Sequence, residues 1–197
     1  MTALAVSNIV LWIVVLALLI VVLALVRQLG VLHERIAPAG ALMINRGLTV
    51  GERVPPMDVV DLNGHGLRVA AERTDGLSTL LLFVSPTCPV CESLLPVIKS
   101  SRKDEQHWLQ IVLASDGEAE EHRKFVRSHG LLDFRYIVSA PLGITYQVSR
   151  LPFAALLDES GTLRARGLVN SREHLESLFE AKRLGVASLQ EYFAARA

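Results

Sequence analysis

The chain lacks an excess of either charge. Its 197 residues include 20 lysines and arginines and 20 aspartates and glutamates, so the formal net charge is zero. A nucleic-acid-binding domain usually concentrates basic side chains on one face, and a solvating tail needs a run of like charges. The sequence has neither feature, nor any internal repeat or low-complexity tract. It therefore predicts no nucleic-acid partner.

Cysteine is also scarce, since the chain contains only two. Two cysteines cannot form the disulfide framework of a small secreted domain, and a four-ligand zinc site would need histidines as well. The histidines are scattered without ligand spacing and are His33, His65, His107, His122, His129 and His174. The sequence predicts no resident metal and no cofactor.

Charge is absent from the start of the chain as well, because no charged residue precedes Arg27. Residues 9–26 form an unbroken apolar run, which as a helix is roughly 27 Å long. With the apolar residues before it, the run matches a hydrocarbon core of about 30 Å. A cleavable signal peptide would begin with basic residues, and a buried core helix would carry a polar stripe. We predict a transmembrane anchor over residues 1–28, followed by a juxtamembrane linker over residues 29–49.

The rest of the chain, residues 50–197, has the pattern of one α/β domain. Alternating or continuous apolar segments bounded by turn residues predict strands at residues 59–62, 67–69, 77–84, 109–114, 134–139, 153–158 and 162–168. Capping residues and amphipathic spacing predict helices at residues 89–102, 118–129 and 171–184, with a short terminal helix from residue 188. The order is a βαβ unit followed by two strands and a helix, with an N-terminal hairpin in front.

The two cysteines lie together in the segment Thr87-Cys88-Pro89-Val90-Cys91, between a predicted buried strand and a predicted helix. A helix N-terminus has unpaired N–H groups and a positive dipole end, and both stabilise a thiolate. Pro89 suits the first helical turn, and the spacing places both sulfurs on one helical face. We predict that Cys88 is the exposed attacking thiol and that Cys91 is the buried resolving thiol. Two inert core cysteines, or half of a metal site, are the alternatives.

These features resemble the thioredoxin superfamily over residues 50–184. The strand, the CxxC motif, Pro96 and the Leu151-Pro152 pair occur in the order typical of that family. Residues 50–55 resemble the segment that opens the extra hairpin of its membrane-tethered bacterial branch. The resemblance implies a thioredoxin-like α/β fold and a cis Pro152 that faces the dithiol, with Thr87 among the supporting residues.

A narrower resemblance extends over nearly the whole chain. Residues 45–52, 85–100 and 167–192 are similar to the MauD family of methylamine dehydrogenase accessory proteins. This resemblance implies a role in maturation of the methylamine dehydrogenase small subunit, a periplasmic, disulfide-rich protein with a tryptophan-derived quinone. The expected partners are that subunit, the membrane and a redox partner that the sequence does not identify.

Four positions depart from common thioredoxins. Thr87 replaces a tryptophan, and Pro89-Val90 replaces Gly-Pro. Leu82 stands where common thioredoxins have a buried aspartate that relays protons. Because the residues between the cysteines influence the redox potential, the sequence leaves open whether the pair oxidises, reduces or isomerises its target.

Orientation of the domain is a point on which two physical rules conflict. Arg27, Arg35 and Arg46 follow the apolar run and no basic residue precedes it, so the positive-inside rule alone favours a cytoplasmic domain. A dithiol that acts on a disulfide-rich client belongs where disulfides persist. We therefore predict a single-pass inner-membrane protein with its thioredoxin-like domain in the periplasm. A copper metallochaperone on the same fold, or a tethered chaperone that does not use its thiols, are the alternative functions.

Overall fold

The computed structural model describes residues 2–34 and 48–185. The chain divides into two compact units, Met1–Asn45 and Arg46–Ala197. Most of the predicted linker and the whole of the predicted terminal helix lie outside the described residues.

The part of the first unit that the structure describes forms one helix, α1, at Thr2–Glu34. Its side chains described over residues 6–22 are exposed, and most of them are large and apolar. Within the residues that the structure describes, no helix reaches the length and apolarity that crossing a membrane requires.

The second unit contains the predicted α/β domain. Its strands are β1 (Met57–Val60), β2 (Gly66–Val69), β3 (Ser78–Phe83), β4 (Leu109–Ser115), β5 (Arg135–Val138), β6 (Phe153–Leu157) and β7 (Leu163–Leu168). Its helices are α2 (Pro89–Asp104), α3 (Ala119–Ser128), α4 (Ala140–Thr145) and α5 (Arg172–Leu184). Apart from α4, each of these elements lies within a few residues of its predicted position.

The main sheet has the strand order β5-β4-β3-β6-β7. Strands β3, β4 and β5 are parallel, and β6 is antiparallel to both of its neighbours, β3 and β7. Strand β7 therefore runs in the same direction as β3. Every residue of the central strand β3 is buried, which is why its sequence is a continuous apolar run rather than an alternating one.

Helices cover both faces of this sheet, so the domain has two apolar layers. Leu80 and Leu82 point into the layer that also contains the apolar residues of α2, α3 and α5. Leu81 and Phe83 point to the opposite side, into the layer beneath α4 and the β1–β2 hairpin. Side chains alternate in this way because successive residues of a strand face opposite sides of the sheet.

The N-terminal hairpin forms as predicted, with β1 and β2 antiparallel. Asp61, at its turn, is buried and accepts hydrogen bonds from the backbone N–H groups of Asn63 and His65 and from the Arg135 guanidinium. Arg135 is the first residue of β5, so the Asp61 carboxylate connects the hairpin to the edge strand of the main sheet. The backbone of Asp61 adds an antiparallel bridge to Ile137 of the same strand.

Helix α4 is the element that the sequence did not indicate. It has only six residues and contains Pro141 and Gly143, so it lacks a helical repeat of apolar positions. Ser139, which was predicted to end a strand, is instead the N-cap of α4 and accepts a hydrogen bond from the Leu142 N–H at 3.4 Å. The helix is held in place by tertiary packing, since Leu142 is fully buried.

Candidate functional site

The predicted dithiol lies at the junction between β3 and α2. Cys88 is the N-cap of α2, with an extended backbone at φ −103° and ψ 105°, and Pro89 begins the helix. Before it, Thr87 makes a hydroxyl–hydroxyl hydrogen bond with Ser85 at 3.0 Å. A proline at the first helical position loses no hydrogen bond, and its fixed φ suits a helix start. The local sequence therefore places the cysteines on the first turn.

Cys88 and Cys91 are joined by a disulfide, with their Cα atoms 5.2 Å apart. The backbone N–H of Cys91 donates a hydrogen bond to the Cys88 sulfur at 3.2 Å. That N–H is one of the groups that a helix N-terminus leaves without a backbone partner. In the reduced protein the same N–H, together with the helix dipole, favours a Cys88 thiolate.

The two sulfur-bearing residues differ in their access to solvent. Cys91 is 0% exposed and packs in the apolar layer beneath α2, whereas Cys88 is only partly buried against that layer. Pro89 and Val90 between them are exposed, with Val90 at 44%. An external sulfur therefore has access to Cys88 first.

Pro152 lies beside the end of β3 from which the dithiol motif continues. The peptide bond between Leu151 and Pro152 is cis, as the family resemblance implied. Phe83, the last residue of β3, pairs with Phe153, the first residue of β6. The motif that follows β3 and the proline that precedes β6 are thus brought to one end of two neighbouring strands. Pro152 itself is buried.

Two further residues named in the sequence analysis lie near the motif. Pro96 lies inside α2, which continues beyond it to Asp104. Leu82 is fully buried on β3, at the position where common thioredoxins have an acidic residue. The buried proton relay of that family is therefore replaced by an apolar side chain.

A buried polar pair beside β4 was not identified from the sequence. His122 is 2% exposed, and its Nδ1 lies 2.9 Å from the Tyr136 hydroxyl while its Nε2 lies 2.8 Å from the Asp116 carbonyl oxygen. Because a carbonyl only accepts, Nε2 donates to it, and in the neutral ring the Tyr136 hydroxyl donates to Nδ1. Burial raises the pKa of Tyr136 to about 12, although a hydrogen bond with Ser115 acts in the opposite direction. The pair satisfies two buried polar side chains of α3 and β5.

The histidines of the described residues do not assemble with other ligands. Over residues 2–34 and 48–185, no group of three or more histidine, cysteine or carboxylate side chains is arranged to hold a metal ion. His122 lies within α3 and contacts Tyr136, whereas His129 is the C-cap of α3 and contacts the Phe125 carbonyl oxygen. His174 is exposed near the start of α5.

The fold of the second unit is thioredoxin-like. No protein-family model matches the chain. A solved structure of a candidate thiol:disulfide interchange protein DsbE from Chlorobium tepidum superposes with a TM-score of 0.61 at 17% identity. The match covers 69% of this chain and 99% of that one, so the likeness extends over the thioredoxin-like domain.

Curated relatives match over nearly the full length. The chain is 47% identical to the methylamine utilization protein MauD of Paracoccus denitrificans, over 96% of this chain and 94% of that protein. It is 43% identical to MauD of Methylorubrum extorquens, over 96% of this chain and 92% of that protein. Identity of this extent, on a thioredoxin-like fold, shows that the chain belongs to the MauD family of methylamine utilization proteins.

Proposed function

We propose that this chain is a thiol–disulfide oxidoreductase that uses Cys88 and Cys91 in maturation of the methylamine dehydrogenase small subunit. The observation that carries the redox part is the disulfide at the N-terminus of α2, with one partly exposed and one buried cysteine. A structural disulfide gains no obvious advantage from a cap position, whereas a reactive thiolate does.

Exchange proceeds through a mixed disulfide. The Cys88 thiolate attacks one sulfur of a client disulfide, a new sulfur–sulfur bond forms, and the other client sulfur leaves as a thiolate that takes up a proton. Cys91 then loses its proton and attacks the Cys88 sulfur, which restores the intramolecular disulfide and releases the second client thiol. The client gains two electrons and the dithiol loses two. Run backwards, the same steps oxidise a client dithiol.

The remaining predicted site residues support this chemistry. Pro89 and Val90 hold the two cysteines one helical turn apart, and Thr87 precedes the nucleophile in a hydrogen-bonded turn. Pro152 directly precedes Phe153, which pairs with Phe83 at the end of β3, and we assign it to the side of the site next to the motif. Of these side chains, Thr87, Pro89 and Val90 are exposed and are available to a docked client.

The client assignment is supported by membership of the MauD family and not by the site geometry. Relatives at 43% and 47% identity are named as methylamine utilization proteins. A disulfide-rich subunit of the enzyme that uses methylamine is a chemically suitable client, because its many cysteines must be paired correctly in an oxidising compartment.

We also propose that residues 1–28 anchor the chain in the inner membrane, with residues 29–49 as linker and residues 50–197 as the periplasmic domain. The support is the apolar run at residues 9–26, which lies within the helix Thr2–Glu34. A tether would confine the dithiol to the membrane surface, where exported subunits emerge.

Trapping of the mixed disulfide tests both parts of the proposal. A Cys91→Ser variant keeps the nucleophile but cannot resolve the adduct, so a covalent complex should accumulate in cells that produce the small subunit. It should appear as a heavier band on non-reducing gels, disappear with dithiothreitol and contain the small subunit by mass spectrometry. The matched Cys88→Ser variant should trap much less, because Cys91 is 0% exposed.

The outcomes separate the alternatives. An adduct that contains only general periplasmic proteins would keep the redox activity and reject the dedicated client. No adduct, together with normal subunit maturation by the Cys88→Ser variant, would reject thiol exchange in favour of a tethered chaperone. Stoichiometric copper binding that depends on both cysteines would favour the metallochaperone.

A further inference from the structure

An acidic residue lies one helical turn from the proposed nucleophile. Glu92 follows Cys91 directly, and its backbone N–H donates to the Cys88 carbonyl oxygen at 3.2 Å. Residues four apart share a face of a helix, with Cβ atoms about 5–6 Å apart. The Glu92 side chain is 62% exposed and belongs to the same helical face as Cys88. A second negative charge at this point opposes a Cys88 thiolate.

A histidine from a different helix contacts this carboxylate. His129, the C-cap of α3, places its Nε2 3.0 Å from a Glu92 carboxylate oxygen. Its Nδ1 lies 3.1 Å from the Phe125 carbonyl oxygen. The Ser128 hydroxyl also lies 2.9 Å from Nδ1. Because a carboxylate only accepts hydrogen bonds, Nε2 donates to Glu92, and the contact becomes an ion pair across α2 and α3 when Nδ1 also carries a proton, which the Phe125 carbonyl oxygen can accept.

The His129 ring is held in place by its surroundings. The His129 ring packs against the Phe125 ring, with their centroids 4.5 Å apart, and its side chain is only 27% exposed. Lys99, about two turns after Glu92 on α2, donates a hydrogen bond to the His129 carbonyl oxygen at 2.5 Å. Lys99 is the other charged group that faces the pair among the described contacts, and it adds positive charge on the side of α2.

We propose that the Glu92–His129 pair sets the charge beside Cys88 and makes the reactivity of the dithiol depend on pH. While His129 is protonated, its charge offsets that of Glu92 and the Cys88 thiolate is favoured by the helix N-terminus. When His129 loses its proton, the Glu92 carboxylate acts on the thiolate without compensation. Imidazole is the side chain whose charge normally changes near neutral pH. Glu92 and His129 are positioning residues, since they act on the client only through Cys88.

This inference rests on the proposed redox activity of Cys88 and adds that neighbouring charges control its reactivity. The relevant equilibrium is the exchange of the reduced protein with glutathione disulfide, which yields the protein disulfide and two molecules of reduced glutathione. Anything that stabilises the Cys88 thiolate stabilises the reduced protein and makes the disulfide form a stronger oxidant. Loss of the His129 charge therefore makes the pair more reducing, and loss of the Glu92 charge makes it more oxidising.

The test measures the rate of Cys88 alkylation against pH in the reduced full-length protein, in detergent. Iodoacetamide is the probe and mass spectrometry identifies the labelled cysteine. At neutral pH, Glu92→Gln should label about threefold faster than the wild type, as expected for unit charges about 6 Å apart in a largely aqueous setting, and His129→Gln should label more slowly than the wild type. The double variant should return close to the wild type. The glutathione equilibrium constants should shift in the corresponding directions.

The opposite signs distinguish electrostatics from damage to the fold, because loosened contact between α2 and α3 would change both single variants in the same direction. Glu120→Gln is the matched control, since Glu120 pairs with Arg123 at 3.2 Å within α3 and should leave the rates unchanged. With a reactive Cys88, single variants that follow the wild type, or that move together, overturn the inference and leave the proposed function standing. A Cys88 that is unreactive in the wild type would instead refute the proposed function, and the inference with it.

Discussion

At the scale of single residues, the two cysteines owe their difference to one helical turn. Cys88 caps α2 and accepts the Cys91 N–H, so its sulfur lies where the helix is most positive. Cys91, inside the first turn, points into the apolar layer and is 0% exposed. The same three-residue spacing thus assigns attack to one sulfur and release to the other.

We expect Cys88 to be alkylated faster than Cys91 in the reduced protein at every pH from about 5 to 8. Thiols at a helix N-terminus commonly form thiolates in this range. Site-resolved mass spectrometry after brief labelling measures both rates in one sample. Denatured protein serves as the control, because there the two cysteines should react alike. Faster labelling of Cys91 in the folded protein would reverse the assignment of nucleophile and resolving thiol.

The sequence does not show which residues contact Glu92 or which polar residues are buried together. Glu92 is identifiable from its spacing, because it lies four residues after Cys88 on the same helical face. Its partner His129 is not, since 37 residues separate the two in the chain. His122 and Tyr136 were equally hidden, because only packing of α3 against the sheet shows that they are buried together.

At the scale of elements, the β6–β7 turn depends on one buried carboxylate. Asp158 is 4% exposed and accepts hydrogen bonds from the N–H groups of Ser160 and Thr162 and from the Arg164 guanidinium. Burial alone would raise the pKa of Asp158, but these hydrogen bonds outweigh burial and lower the pKa below its ordinary 3.8. The carboxylate is therefore held in its ionised form in the folded protein.

A group with a lowered pKa in the folded state stabilises the fold above its unfolded pKa, and the contribution is lost as pH falls towards the folded pKa. We expect Asp158→Asn to lower the free energy of unfolding by about 1–3 kcal/mol at pH 7, because the hydrogen bonds to a charged acceptor are weakened. The difference from the wild type should shrink as pH falls below 3.8, the ordinary value for this carboxyl.

Urea unfolding of the full chain in detergent, followed by tryptophan fluorescence at several pH values, measures the effect. Asp133→Asn is the matched control, since the Asp133 side chain is 80% exposed and lies 3.8 Å from Arg102. It should change stability very little. A gap between wild type and Asp158→Asn that stays constant with pH would contradict the role of ionised Asp158.

Elements also differ in how readily the sequence specified them. Helix α5 follows from local signals, because Ser171 accepts the His174 N–H at its start and Gly185 adopts φ +67° at its end. Helix α4 carries no such pattern, and its position depends on Leu142 and Tyr146 packing beneath it. Short helices of this kind are decided by contacts that are distant in the chain.

At the scale of the whole molecule, the proposed topology determines which redox environment the dithiol meets. We expect alkaline phosphatase fused after Ala197 to be active, because this enzyme needs disulfides that form only outside the cytoplasm. A cytoplasmic reporter fused at the same position should be inactive. The reverse result would place the domain in the cytoplasm, in agreement with the arginines that follow the apolar run.

The sequence by itself determined the elements whose signals are local. The apolar run of β3, the N-terminal proline and paired cysteines of α2, and the capped helix α5 follow from side chains within a few residues of one another. The family resemblance added the cis Pro152 and the client class. Only the tertiary structure decided what reaches the dithiol from elsewhere in the chain. It paired β3 with β6, which brings Pro152 to the motif, and packed α3 against α2, which sets His129 on Glu92. Such contacts depend on which elements become neighbours when two apolar layers are buried, and no local pattern in the chain specifies that choice.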